Sequence, residues 1–283
     1  MDQPPCIRAG RTAAMVMILA DDQLARTPAG KRLVSMLDLE HGLELAHIAR
    51  RDSPAAARRV RLRKACINRW MDEFSAANNP IANNIIVAGA GLAPLALDWC
   101  SAHTQSTATE LDYENMDAKQ HLIAQCADAS ITHRLRSITC DLRNIAATES
   151  ALIASGWRAD QPALWIIEGL AYYISHDQLV ALIRLALRGH KGNRVILEFS
   201  GPRDTLNERA RAEIETYHQL VAQHLGGHDL TITDIDALVA HSHARIDRIM
   251  HPAEMEEQFG FDRYFTGSDD SAMRVALLAP TIT

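Results

Sequence analysis

No stretch of the sequence is apolar for long enough to cross a bilayer. The longest run near the start, Thr12 to Ala20, falls far short of the roughly 20 residues required and meets Asp21-Asp22. The first ten residues carry Asp2 and two prolines in place of a basic segment leading into an apolar one, so no secretory leader is expected and the chain reads as cytoplasmic. Basic charge is also short. Against 35 Asp and Glu stand 29 Lys and Arg, a net charge of −6, which disfavours a protein that lives by gripping nucleic-acid phosphates. The five cysteines (6, 66, 100, 126 and 140) include no Cys-x-x-Cys pair, which argues against both a zinc ribbon and a disulfide framework; they read as buried or idle thiols. Thirteen histidines include no His-Glu-x-x-His. The two close groups, His241-Ser242-His243 and His224 with His228, have no partner at ligand spacing, so no metal is expected. Repeats, low-complexity tracts and long linkers are absent as well.

What remains is the composition of a globular protein, 47% hydrophobic and 23% charged, and 283 residues are enough for one large domain or one domain with an appended element. The character of the sequence changes at Asn78-Asn79-Pro80. Residues 1–79 hold Ala, Arg, Leu and Met at helical spacing, and Thr27-Pro28 and Ser53-Pro54 read as caps followed by Pro at the start of a helix. Residues 80–283 alternate short β-rich runs with helical stretches. The runs are Ile85 to Ala88, Thr107 to Leu111, Leu135 to Thr139, Leu164 to Ile167, Val195 to Phe199, Ala244 to Met250 and Met273 to Leu278. This alternation predicts an α/β fold with a mostly parallel sheet, closed by an antiparallel pair from the last two runs. Ligands of such sheets bind beyond the carboxyl ends of the strands.

Those ends carry unusual residues. After the first run, Gly89-Ala90-Gly91 lets backbone approach a ligand at the start of a helix. The third small residue of a dinucleotide fingerprint is replaced by Pro94, and no Gly-x-x-x-x-Gly-Lys-Ser/Thr loop occurs, so a nucleoside without a polyphosphate fits better. The second run ends in Glu110-Leu111-Asp112, where a carboxylate can accept from both ribose hydroxyls or cap a helix. Asp141 after the third run could accept from an adenine amino group while Leu142 packs on the ring. The fourth run leads straight into Glu168-Gly169 and then Tyr172-Tyr173.

Taken in order, these segments resemble the leucine carboxyl methyltransferase family, which includes bacterial polyketide O-methyltransferases of secondary metabolism. The matching segments are Arg63-Lys64-Ala65-Cys66-Ile67-Asn68, Gly89-Ala90-Gly91-Leu92, Glu110-Leu111-Asp112-Tyr113 with Lys119, Asp141-Leu142-Arg143, and Glu168-Gly169 through Tyr173. The resemblance implies a class I methyltransferase (Rossmann-like) fold with a seven-stranded sheet, an N-terminal helical lid and S-adenosyl-L-methionine as cofactor. Arg63 would then hold the methionine carboxylate, Gly89 and Gly91 would line the methionine moiety, and Glu168 would face its amino group. Asp112, with Glu110 in the same segment, would serve the ribose, and Asp141 with Leu142 the adenine. Ala93, Lys64 and Asn68 depart from the family's usual acid, Thr and Asp.

The expected reaction is O-methylation of a small-molecule carboxylate, phenol or alcohol. C-methylation of a 2-oxo acid would use the same cofactor residues, and a catalytically silent partner protein is the reading from another class. A hydroxyl acceptor needs a base; the candidates for base or orienting group are Tyr172, Tyr173, His176, Tyr217 and His218. Met15, Met17, Leu19, Leu33 and Met36 are expected to cover the acceptor pocket or to pack the lid on the sheet. Arg11 or Arg203 would meet an acidic group.

Overall fold

In a computed structural model of the chain, residues 7–77, 79–222 and 230–281 are described. The first part is helical: β1 (Ile7–Arg8), α1 (Arg11–Ala20), α2 (Pro28–Ser35), β2 (Leu37–Asp38), α3 (Glu40–Asp52) and α4 (Pro54–Ala76). Both expected helix starts are present, and they are built differently. Thr27 accepts from the Gly30 N–H at 3.1 Å, whereas the Ser53 side chain caps nothing and leaves Pro54 to start the helix. Two residues of β1 pair in parallel with β2, a contact too short to leave a sequence signal.

The helices lie unusually close at one point. A Cβ added to Gly42 of α3 would sit 2.4 Å from the Met15 backbone N of α1. Gly42→Ala must therefore push two buried helices apart, and a loss of about 1–3 kcal/mol is expected, read as a lowered urea midpoint with an unchanged slope.

From residue 84 onward strands and helices alternate: β3 (Asn84–Ala88), α5 (Leu95–Ala102), β4 (Thr107–Asp112), α6 (Met116–Cys126), α7 (Ala129–Thr132), β5 (Leu135–Thr139), α8 (Ile145–Ala154), β6 (Leu164–Ile167), α9 (His176–Leu187) and β7 (Arg194–Ser200). They are followed by α10 (Glu208–Ala222), α11 (Ile235–Ser242), β8 (Ala244–Met250), α12 (Pro252–Phe259) and β9 (Met273–Pro280). The seven strands β3 to β9 form one sheet in the order β5-β4-β3-β6-β7-β9-β8. The first five run parallel, and β9 is antiparallel to both its neighbours. All seven expected strands are present, and so is the expected antiparallel pair. The order places β9 inside the sheet and β8 at its edge. That edge is protected: β8 carries Arg245, Asp247 and Arg248, and a bulge interrupts its register between Ile246 and Arg248.

The central strands are buried on both sides, and their period of two sorts the core into two layers. Ile85, Val87, Leu164, Ile166, Ile196 and Val275 pack with the N-terminal helices. Ile86, Trp165, Ile167, Leu197 and Ala276 pack with the layer that contains α9 and α11. Met15, Leu19 and Leu33 of the first helices sit in the same cluster as the first of these strand faces, so the helical part and the sheet share one core. Among the described residues no helix is long and apolar enough to cross a membrane. Cys66, Cys100, Cys126 and Cys140 are free and buried, and burial pushes the Cys100 thiol up to about 12; Cys6, His224 and His228 lie outside the described residues.

Candidate functional site

The sheet opens at the carboxyl ends of its central strands, at the switch between β3 and β6, and a cavity of about 720 Å³ lies there. It falls within the size range of ligand pockets, about 300–1,000 Å³. The loop after β3 forms one wall. Gly89 stands at φ 78° and a Cβ on it would be 2.9 Å from the Leu170 Cβ, while Gly91, at φ 49°, faces open space. Both positions need glycine, one for closeness and one for backbone conformation.

Asp112, at the end of β4, accepts from the Gly91 N–H through Oδ2 at 2.7 Å and from the Tyr113 N–H through Oδ1 at 2.6 Å. It therefore both shapes the glycine loop and presents a carboxylate to the cavity. Asp141 and Leu142 follow β5 at the same edge. Arg143 clasps Asp141 through Nε and NH2 at 2.8 and 2.9 Å, and this pairing holds the Asp141 carboxyl below its ordinary range. The Arg143 guanidinium also lies 5.6 Å from the ring centre of Tyr113, completing a partly exposed rim.

The floor is more strongly charged. Glu168 extends β6 by one residue and Glu198 lies in β7; both share the even-numbered face that meets α4. Arg63 of α4 donates Nε to Glu168 at 3.0 Å and NH1 to Glu198 at 3.3 Å, and Lys64 reaches the other Glu168 oxygen at 2.9 Å. Glu198, fully buried, also accepts from the Gly169 N–H at 2.9 Å and from the Tyr172 hydroxyl. Burial works to raise the Glu168 pKa, but Lys64 and Arg63 outweigh it and the carboxyl is held low. Burial likewise works to lower Arg63, and Glu198 with Glu168 reverses it. The result is a floor in which two basic side chains, Arg63 and Lys64, face two acidic ones, Glu168 and Glu198.

The structure brings together Arg63, Gly89, Gly91, Asp112, Asp141, Leu142, Glu168, Tyr172, Tyr173 and Tyr217 around this cavity. It does not bring Glu110. That side chain points into the protein beneath the cavity, where it accepts from Lys119 at 2.7 Å and Ser137 at 3.0 Å, because a residue two positions before the strand end lies within the sheet layer. His176 is corrected too. It opens α9 on the surface, its Nε2 3.0 Å from His241 Nδ1, outside the cavity. The side chain of His218 lies outside the described residues. Of the five residues expected to cover the pocket, only Met17 lines it; Met15, Leu19 and Leu33 are core, and Met36 packs against the core. Arg11 and Arg203 also stay out, paired with Glu44 at 3.3 Å and Glu215 at 3.6 Å.

Three charged residues of the site were missed. Glu198 is the one acid inside the buried run Val195 to Ser200, and that interruption is a usable signal. In the sequence Lys64 stands out only as a departure from a family pattern. Arg59 hides in the basic stretch Arg58 to Lys64, although it stands one helical turn before Arg63 and so shares its face.

Comparison with known proteins bears on fold and family. A Streptomyces coelicolor protein named as an S-adenosyl-L-methionine-dependent methyltransferase is 35% identical over 101 residues, 35% of this chain and 32% of that protein. A Mycobacteroides abscessus protein of the same description is 25% identical over 62% of this chain and 54% of its own length. The matches thus span about a third and about half of the lengths of these curated relatives. Among solved structures, a Thermobifida fusca protein described as a methyltransferase superposes with a TM-score of 0.65 at 11% identity, over 93% of this chain and 97% of the other. A DUF574-family protein from Streptomyces avermitilis gives 0.63 at 15% identity, over 92% and 99%. The fold is that of the class I methyltransferases. The sequence profile described as leucine carboxyl methyltransferase matches residues 6–186, most of the chain, and the protein belongs to the leucine carboxyl methyltransferase family.

Proposed function

We propose that the protein is an S-adenosyl-L-methionine-dependent methyltransferase acting on an oxygen of a small-molecule acceptor. The observation that carries this reading is the alignment, along one cavity, of a glycine loop tied to Asp112, an Asp141–Leu142 edge and a charged Arg63–Glu168 floor. These fit the cofactor's parts in order. Arg63 suits the methionine carboxylate, Glu168 the amino group, Asp112 the ribose hydroxyls, and Asp141 with Leu142 the adenine. Gly91 leaves space where any side chain would intrude. When bound, the cofactor supplies an electrophilic sulfonium methyl group. The protein's own work is to orient the acceptor and exclude water, and Val16 and Met17 of α1 with Ile214 and Tyr217 of α10 supply apolar cover on that side.

The same geometry favours an acceptor that arrives ionised. The Tyr172 hydroxyl donates a hydrogen bond to Glu198, and burial raises both Tyr172 and Tyr217 above the ordinary phenol value, so neither is a base near pH 7. Glu168 is occupied by cations, as is Glu198. A carboxylate or acidic phenol needs no base; C-methylation, which begins with loss of a proton from carbon, needs one.

Calorimetry tests the cofactor half. S-Adenosylhomocysteine should bind and NAD should not, and Asp112→Ala should weaken binding by about 1.5–3 kcal/mol, the range for hydrogen bonds to a charged group. Micromolar binding of NAD with no response to S-adenosylhomocysteine would overturn the proposal. The acceptor half is tested by turnover of labelled cofactor with small carboxylic acids, phenols and a protein carboxyl terminus. Methyl transfer to carbon would remove the O-methyl assignment.

A further inference from the structure

Among the described residues the cations lining the cavity are paired, with one exception. Arg63 and Lys64 face Glu168 and Glu198, and Arg143 faces Asp141. Arg59 has no such partner. It is 9% exposed and lines the cavity, its NH1 is buried without a hydrogen-bond partner, and no described carboxylate lies within ion-pair reach. The nearest acidic neighbour on α10, Glu213, is engaged by the Tyr264 hydroxyl at 3.3 Å. What Arg59 does have is the face of Tyr217, its guanidinium carbon 5.9 Å from the ring centre. Stacking on an aromatic face leaves the planar edge of a guanidinium open, and that edge is the part that matches a carboxylate in bidentate geometry.

A buried cation without a counter-charge is costly, and a well-packed apolar side chain in its place would be more stable. Its neighbours in the lining include the apolar Ala56, Val60 and Ile214, and Glu213 acts on it from beyond ion-pair distance. Arg63, one turn further along α4, already serves the floor where the cofactor's methionine end fits.

We propose that Arg59 is the anion-recognition residue of the acceptor end of the cavity, selecting a small acid that sets its carboxylate on the guanidinium and its apolar body against Tyr217 and Ile214. This rests on the methyltransferase reading above and adds to it the residue that chooses the acceptor. Arg59 completes its pairing only when an acceptor is present.

The experiment measures binding to the protein saturated with S-adenosylhomocysteine, so that failure of the cofactor reading is seen first and separately. The probes are benzoate, 1-naphthoate and indole-3-acetate, each compared with its own primary amide, against wild type, Arg59→Met and Arg59→Lys. At least one acid should bind wild type about tenfold or more tighter than its amide. Arg59→Met should erase that preference while leaving S-adenosylhomocysteine affinity within about twofold, and Arg59→Lys should keep part of it. Without any acceptor, Arg59→Met should unfold at a higher temperature than wild type, by roughly 2 °C or more. The proposal is overturned if no acid is preferred at millimolar concentration, if the preference survives in Arg59→Met, or if that variant loses cofactor affinity. It is also overturned if Arg59→Met melts lower than wild type, which would make Arg59 a structural cation.

Discussion

Replacing Arg63 with alanine should weaken binding of S-adenosylhomocysteine by 10- to 100-fold or more. Loss of hydrogen bonds between charged groups costs about 1.5–3 kcal/mol, and tenfold in affinity is about 1.4 kcal/mol. The fold should suffer as well. Glu168 keeps Lys64 at 2.9 Å, but Glu198 is left fully buried with only the Gly169 N–H and the Tyr172 hydroxyl. Breaking a buried ion pair by removing one partner costs roughly 3–5 kcal/mol. Arg61→Ala is the internal control: its partner Asp22 is exposed and 3.0 Å away, and exposed pairs are worth about 0–1 kcal/mol. Adding Glu198→Gln to Arg63→Ala should return part of the stability and none of the affinity, which separates the two effects. Equal affinities in the Arg63→Ala and Arg61→Ala proteins, by calorimetry, would remove Arg63 from the cofactor site.

The second large effect is expected at Lys119. Its ammonium is fully buried and donates to Glu110 at 2.7 Å and to the Ala93 carbonyl at 2.8 Å, so a single side chain ties α6 to β4 and to the loop that begins at Gly89. Lys119→Met fills much of the same space but leaves the Glu110 carboxylate, held otherwise only by Ser137 at 3.0 Å, without a cation. A loss of about 3–5 kcal/mol in denaturant unfolding is expected. The double variant Lys119→Met with Glu110→Leu removes both charges and should recover most of it, since buried pairs often contribute little beyond apolar packing. Cofactor affinity should recover less completely, because the Ala93 carbonyl still lacks its donor. If the double variant is no more stable than the single one, the loss comes from packing and not from the stranded carboxylate.

The central strands were legible because buried parallel strands read as short apolar runs, unbroken in Leu164 to Ile167 and broken only by Glu198 in Val195 to Phe199. Asp112, Asp141 and Glu168 were legible for a related reason: each stands where a β-rich run stops. Residues that reach the cavity from elsewhere gave no such cue. Arg59 is indistinguishable in sequence from Arg58 and Arg61, which turn to Glu256 and Asp22, until the helix face is known. His176 misled because a position shortly after a strand end looks close to the site, yet the Ser175 cap swings the start of α9 to the surface. The Met and Leu residues of the first helices were ambiguous by nature, since a stripe that covers a pocket and a stripe that fills a core have the same period.

The place of β9 has a consequence for how the chain comes to be folded as it is made. The strand at residues 273–280 lies between β7 and β8, so β7 has no neighbour on that side until synthesis has passed residue 280. Until then a ribosome-bound chain presents the edge of Arg194–Ser200, whose Val195, Ile196, Leu197 and Phe199 are buried in the finished sheet. An unpaired apolar edge is the kind of surface on which nascent chains associate with one another. A pause late in translation should therefore be far more damaging to soluble yield than one placed anywhere in the helical first third.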